Sequence, residues 1–206
     1  MGNDIGHPEL PELVALFVYH HRNPEGVDFP QTYYPQILEK GYSYESAVAT
    51  FYAPSDLSGD GEMHHQQIYA CSSWRNGPPH YDCVFAEKDP SLTGFRGLFV
   101  AQVILFFSFS YQNVFYPCAL VQWFSVIGEE PCPHTGMWMV EPEFDENEER
   151  AVSVIHLDSI MRPAHLIGIY GNDHIPCDFK HTDSLSAFAA FYVNKYSDYH
   201  AFQLAF

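Results

Sequence analysis

Residues 99–125, FVAQVILFFSFSYQNVFYPCALVQWFS, hold the densest apolar run in the chain. Val, Ile, Phe, Tyr and Leu dominate it, as a pleated and mostly buried surface prefers. Gln112-Asn113 falls between two alternating segments, and Asn tolerates the left-handed conformation of a tight turn. The stretch therefore reads as a long β-hairpin with Tyr111 opposite Val114. That register sets Phe109 against Tyr116, Phe107 against Cys118, Leu105 against Leu120 and Ala101 against Phe124 on one face. Val100, Ile104, Phe106, Phe115, Ala119, Val121 and Trp123 take the other. Both faces are apolar, so both require cover, from a barrel interior or from packed helices. Pro117 falls opposite Ser108 with its missing N–H turned outward, so the ladder on that flank should end or leave a gap. The run is long enough for a membrane helix, but Pro117 and the period-two polar residues Gln102, Ser108, Ser110 and Gln112 oppose one.

A chain of 206 residues accommodates one large domain, or one domain with a smaller appendage, and can bury roughly 70% of its unfolded surface, so it needs no staples. Nine Lys+Arg stand against 26 Asp+Glu, a net charge of −17. That balance opposes direct nucleic-acid binding, which needs a basic patch, and docking on anionic membranes. It also keeps an aromatic-rich protein soluble. The cysteines are Cys71, Cys83, Cys118, Cys132 and Cys177, an odd count with no C-x-x-C spacing. They read as free, mostly buried thiols of an intracellular protein in a reducing compartment. The start, MGNDIGHPEL, has the pattern neither of a signal peptide nor, with Gly6 at the sixth position, of a myristoylation site.

Along the chain, Leu10, Leu13, Val14 and Phe17 recur at helical spacing within residues 8–22, with Pro11 in the first turn and Asn23-Pro24-Glu25-Gly26 as a stop. Residues 27–45, with Pro30, Pro35 and Gly41, read as an extended connector. The expected division is a helical leader and connector over residues 1–45 and a β-rich domain over 46–206. Strands are expected within 46–58, over 67–74 and 81–86, in the hairpin, over 137–140, and over 151–157 and 165–170 with Ile160-Met161-Arg162-Pro163 as the joint. Residues 141–150 read as a solvated acidic loop. The last element reads as a helix capped by Asp183 or Ser184, with Leu185, Phe188, Phe191 and Tyr192 as its stripe, broken by Ser197-Asp198. The fold class is mainly β (α+β): a small barrel or strongly coiled antiparallel sheet of about seven strands around the central hairpin, with an N-terminal and a C-terminal helix.

Five sets of residues are candidates for chemistry. His156-x-Asp158 with His165 and His174 can supply the two His and one acid of a facial triad, a donor set that suits zinc or iron in a metal-dependent enzyme. Its alternative use is structural hydrogen bonding at a strand end. His20-His21 and His64-His65 are adjacent pairs and read as surface residues. Trp74, Trp123, Trp138 and Tyr170, with Tyr81, form a possible aromatic pocket for a peptide or chromatin mark, or else core packing. Cys71 and Cys118 lie in apolar strands, where thiols pack rather than react. Paired carboxylates such as Asp145-Glu146 and Glu148-Glu149 fall in the acidic loop, off any rigid frame for acid–base work. No catalytic residue and no cofactor is assigned, because no phosphate-binding glycine loop, H-E-x-x-H, G-x-S-x-G or dinucleotide fingerprint occurs.

Several segments together resemble a known family. SAVATFYAPSDLSGDGEM, SSWRNGPPHYDCVFAE, the hairpin from Val103 to Ser125, TGMWMVEPEF, VIHLDSIMRPAHLIGIYG and DSLSAFAAFYVNKYSDYHAF are similar to the C-terminal region of fungal transposase-like proteins of the Kyakuja-Dileera-Zisupton and Plavaka type. The resemblance spans residues 44–206. In that family the catalytic carboxylates belong to a ribonuclease-H-like core upstream of this region, and no position here matches them. The resemblance thus implies a tail without its core: a non-catalytic accessory domain of transposon origin, acting through a protein partner or self-association, and nuclear.

Overall fold

The computed structural model describes residues 7–23, 41–54, 61–171, 179–180 and 183–205. The proline-bearing part of the connector, His174 and Cys177 lie outside them. The first described element is α1 (Leu10–Arg22), which has Pro11 in its first turn. The Asn23 side chain closes the last turn on the Tyr19 carbonyl at 2.8 Å. Then come β1 (Tyr42–Tyr44), β2 (Ser46–Tyr52), β3 (Met63–Cys71), β4 (His80–Tyr81) and β5 (Cys83–Glu87). The central hairpin is β6 (Leu98–Tyr111) and β7 (Val114–Ile127). It is followed by β8 (Met139–Pro142), β9 (Val152–His156), β10 (Ile160–Ala164), β11 (Leu166–Gly168), α2 (Ser184–Ala187), β12 (Phe191–Val193) and α3 (Tyr199–Ala205).

The hairpin forms as its sequence dictates. Gln112 and Asn113 both take positive φ, 51° and 63°, which suits the right-handed twist of the flanking strands. Tyr111 faces Val114, and the expected pairs follow as far as Leu105 opposite Leu120. There Ile104 enters as an extra residue in β6. Beyond this bulge Ala101 faces Trp123 rather than Phe124, and Val100 takes Phe124. A one-residue slip exchanges the faces. Val103 and Ala101 therefore join Phe106 on one face, and Val100 joins Leu105 on the other. Pro117 acts as its chemistry requires: the β9 ladder on the outer flank of β7 begins at Cys118.

One antiparallel path runs β10-β5-β6-β7-β8-β12-β11, with β1 added to the outer edge of β6 and β9 to that of β7. Its two ends, β10 and β11, are separated in sequence by His165 alone. The sheet is thus a nearly closed barrel. Its interior is a cluster of Phe85, Val100, Phe124, Trp138, Val140, Phe191, Val193 and neighbours. The distal half of the same hairpin face carries Leu105, Phe107, Phe109, Tyr116 and Leu120, and α1 covers it with Leu10, Val14 and Val18. The opposite face, with Ala101, Val103, Phe106, Ala119 and Val121, is covered by the small sheet β2-β3-β4 through Ala49, Ile68 and Ala70. Burying each large apolar side chain contributes about 1.5–3 kcal/mol, and both hairpin faces contribute in full.

Four expectations are corrected by the tertiary structure. Helix is present at the C-terminal end as expected, in α2 and α3, but the Leu185–Tyr192 stripe does not lie on one helix; α2 ends at Ala187, and Phe191–Val193 is β12, hydrogen-bonded to β8 and β11. Two ladders outweigh a helical period carried by aromatic residues that fit strands as well. Ile160–Pro163 is not a mere joint but most of β10, paired with β5. The expected strand 67–74 runs over 63–71 instead, because it pairs along the whole of β2. The described residues hold twelve strands rather than about seven.

Candidate functional site

The proposed metal ligands occupy two different settings. His156 ends β9, and its Nδ1 accepts the Asp158 backbone N–H at 3.2 Å with the Asp158 carboxylate 3.5 Å away. His165 stands at the barrel seam: its carbonyl accepts the Asn194 N–H at 2.9 Å and its Nδ1 lies 3.1 Å from the Asn194 amide nitrogen. Among the described residues no group of three His, Cys, Asp or Glu side chains is placed to hold a metal ion. The neighbour of His156 is instead His21 of α1, its ring stacked at 6.1 Å. The two line a groove of about 380 Å³ between α1 and β9. On β3, His65 faces outward onto the Thr50 hydroxyl at 2.8 Å, whereas His64 turns inward against Phe51. The alternation of a strand separates them.

The aromatic set is likewise dispersed. Trp74 lies in the turn after β3, 4.1 Å from the Tyr69 ring and beside His80 and Arg75. Trp123 packs on Phe99 and donates its indole N–H to the Ser153 hydroxyl at 2.6 Å. Trp138 is buried in the barrel, stacked on Phe95. Tyr170 is exposed beyond β11. Sequence spacing shows the residue types, but only topology shows which strand end each one reaches.

The described cysteines, Cys71, Cys83, Cys118 and Cys132, are free and buried. Burial, with Asp82 nearby, pushes the Cys83 thiol up to about 12, and burial does the same to Cys118. Cys132 behaves oppositely. The Thr135 hydroxyl and the Thr135 and His134 backbone N–H groups hold its thiolate, which brings it down to about 7. The signal was present in the loop Pro131-Cys132-Pro133-His134-Thr135-Gly136, where prolines flank the thiol. Alkylation at pH 8, mapped by mass spectrometry, is expected to label Cys132 well before Cys83 or Cys118, whose thiolate fraction is only ~10⁻⁴. Equal rates at the three positions would contradict this placement.

Two further features are concave or apolar at the surface. A cleft of about 740 Å³ opens where β5 and β1 part along the edge of β6, lined among others by His7, Glu45, Tyr81, Gln102 and Gln122. At the hairpin tip, the ladder puts Tyr42 beside Ser108 and Pro117, Tyr44 beside Phe106, and Phe115 beside Ser110. These residues share the hairpin face opposite α1, and Tyr42 (56%) and Phe115 (59%) are widely exposed, as are Tyr44 and Val114. Tyr44 is held there by a 3.1 Å hydrogen bond with the buried Ser108 hydroxyl. The acidic loop is a closed turn: the Asp145 carboxylate accepts the Asn147 and Glu149 N–H groups at 2.8 and 3.0 Å, which keeps it below the usual Asp range. No helix among the described residues is long and apolar enough to cross a membrane. No protein-family model matches this chain, and neither does any curated protein.

Proposed function

We propose that this chain is a non-catalytic interaction domain of transposon origin that acts in the nucleus through protein–protein contact. The observation that carries the contact reading is the aromatic hairpin tip. Tyr42, Tyr44 and Phe115 form an exposed apolar patch on one sheet face, and Val114 is exposed beside them at the turn. Among the described residues β1 pairs only with β6, and Tyr42-Ser43-Tyr44 carries neither the Lys nor the Pro that usually guards an open edge. Clustered exposed aromatics of this kind mark contact sites. The origin reading rests on the resemblance of residues 44–206 to the transposase-like C-terminal region. A net charge of −17 repels a second copy at low salt and favours a basic partner.

Photo-cross-linking in cells tests the patch. A benzophenone side chain at position 115 or 42 is expected to give a discrete protein adduct, while one at the exposed Tyr52 of β2 gives none. Adducts that are the same at all three positions would refute the contact site. Nuclease or hydrolase turnover abolished by a point substitution would refute the non-catalytic reading.

A further inference from the structure

The barrel face of the hairpin is interrupted by two amides. Gln102 of β6 and Gln122 of β7 stand directly opposite each other, and both are half-buried. On one side of the pair Val100 and Phe124 fill the barrel; on the other Leu105 and Leu120 lie under α1. The Ile104 bulge falls beside this layer, where β1 and β5 part along the edge of β6. The cleft of about 740 Å³ opens there, and both glutamines line it. The Gln102 amide makes one long hydrogen bond, donating through Nε2 to the Tyr81 carbonyl at 3.4 Å. The Gln122 amide, the Tyr81 hydroxyl and the Glu45 carboxylate also line the cleft, and none of the three has a hydrogen-bond partner among the described residues. Burial, with the Cys71 thiol nearby, raises the Tyr81 phenol, so it remains a neutral donor. Ile104, Leu105 and Ala70 supply apolar wall. No Lys or Arg lines the cleft, and its imidazole, His7, is held by the Glu9 carboxylate at 2.9 Å.

We propose that this cleft binds a flat, uncharged heterocycle through an amide edge, an N–H donor beside a C=O acceptor. A glutamine side chain carries the same two groups and pairs with such an edge bidentately. Two glutamines, a phenol and a carboxylate offer more donors and acceptors than the described chain uses. Apolar residues in their place would avoid the cost of drawing amides out of water. Ile104 and Leu105 suit the face of a ring, and the volume lies in the range of about 300–1,000 Å³ that encloses small ligands. The net charge of −17 and a lining without Lys or Arg disfavour a phosphate or carboxylate on the ligand. This binding is independent of the contact at the hairpin tip.

The test is a ligand-detected NMR titration of the full chain with three probes of one shape. Benzamide should bind with a Kd on the order of 1 mM, the strength a small fragment attains. Acetophenone keeps the acceptor but lacks the N–H, and should bind about tenfold more weakly. Benzoate, an anion, should not bind. Uracil should bind more tightly than acetyl-glutamine methylamide; the reverse order would give the cleft to a partner's side chain and overturn the heterocycle. Gln102→Leu and Gln122→Leu should each weaken benzamide binding about tenfold, and Tyr81→Phe about threefold. Gln67→Leu removes an amide from an exposed position of β3 and should change binding less than about twofold. Phe115→Ser should leave it unchanged, which separates failure in the cleft from failure at the tip. The urea midpoint of Gln122→Leu should stay level or rise, because this amide has no partner among the described residues. A fall would mark Gln122 as a structural hydrogen bond and overturn the proposal. So would equal binding of benzamide and benzoate, or glutamine variants that bind like the unaltered chain.

Discussion

Phe124→Ala should lower folding stability by about 3–5 kcal/mol, the range for removing a fully buried phenyl ring. Phe124 is 2% exposed and sits at the middle of the barrel interior. Its ring meets Phe191 of β12 edge-on at 5.8 Å, and the Arg150 guanidinium caps it at 5.1 Å. The loss is therefore more than transferred area. A cavity opens between β7 and β12, and a guanidinium that has already lost water loses the nearer of its two ring partners, Phe124 and Phe144. For a domain with total stability of about 5–15 kcal/mol, this is a large share. Urea unfolding should show the midpoint falling by about 2 M at unchanged slope. A shift under about 0.5 M would mean that β12 does not pack on the hairpin as described.

Asp198→Ala is the second substitution expected to cost most, about 2–4 kcal/mol. Arg162 of β10 is 4% exposed, lies 4.4 Å over the Phe51 ring of β2, and donates through both Nη atoms to the Asp198 carboxylate, at 3.1 and 2.5 Å. The same carboxylate accepts the Ala201 N–H at 2.7 Å and so caps α3. One aspartate thus ties the barrel edge, the small sheet and the last helix together. Removing it leaves a buried guanidinium without its counter-charge, a loss of about 3–5 kcal/mol in full burial. The partial exposure of Asp198 reduces that figure. Asp198→Asn keeps the cap and loses only the charge, so its cost should fall between. An Arg162→Met/Asp198→Ala pair should regain much of the loss, because no charge is then stranded.

The same contact sets a pH dependence. Burial pulls the Asp198 carboxyl up, but the Arg162 guanidinium and the Ala201 and His200 N–H groups outweigh it, and the net shift is downward. A carboxyl depressed in the folded state contributes its stability fully above the ordinary Asp value of about 3.9 and loses it as pH falls. The stability gap between the unaltered chain and Asp198→Asn should therefore be widest near neutrality and shrink below about pH 4. A gap that is constant down to pH 2 would remove the ion pair from the account.

How much was legible varied from element to element. The hairpin turn could be read because Gln112-Asn113 meets a local backbone demand, and the ladder end could be read because Pro117 lacks an N–H. The bulge at Ile104 could not. Nothing in Val103-Ile104-Leu105 distinguishes a bulged residue from a paired one. The choice is made by what covers each face, α1 on one side and β2-β3-β4 on the other. The short strand Phe191–Val193 was hidden for a similar reason, since its two ladder partners lie 23 or more residues away. The candidate metal residues were legible only as types: His156 and His165 are nine positions apart, but the fold sets the first beside His21 of α1 and the second beside Asn194. Glu141, read as the start of a solvated acidic loop, belongs to β8 opposite Ser125.

The order of residues alone determined what is local here: a two-sided apolar ribbon, a left-handed turn, an amphipathic leading helix and a surplus of acid. Folding decided which of those parts meet. His156 met His21 rather than His165, Arg162 met Asp198 across 36 positions, and the Arg150 guanidinium came to lie between the Phe124 and Phe144 rings. The physical reason is that backbone preference and pattern act over a few residues, whereas a site depends on contacts between distant segments whose choice is made by packing the whole core at once.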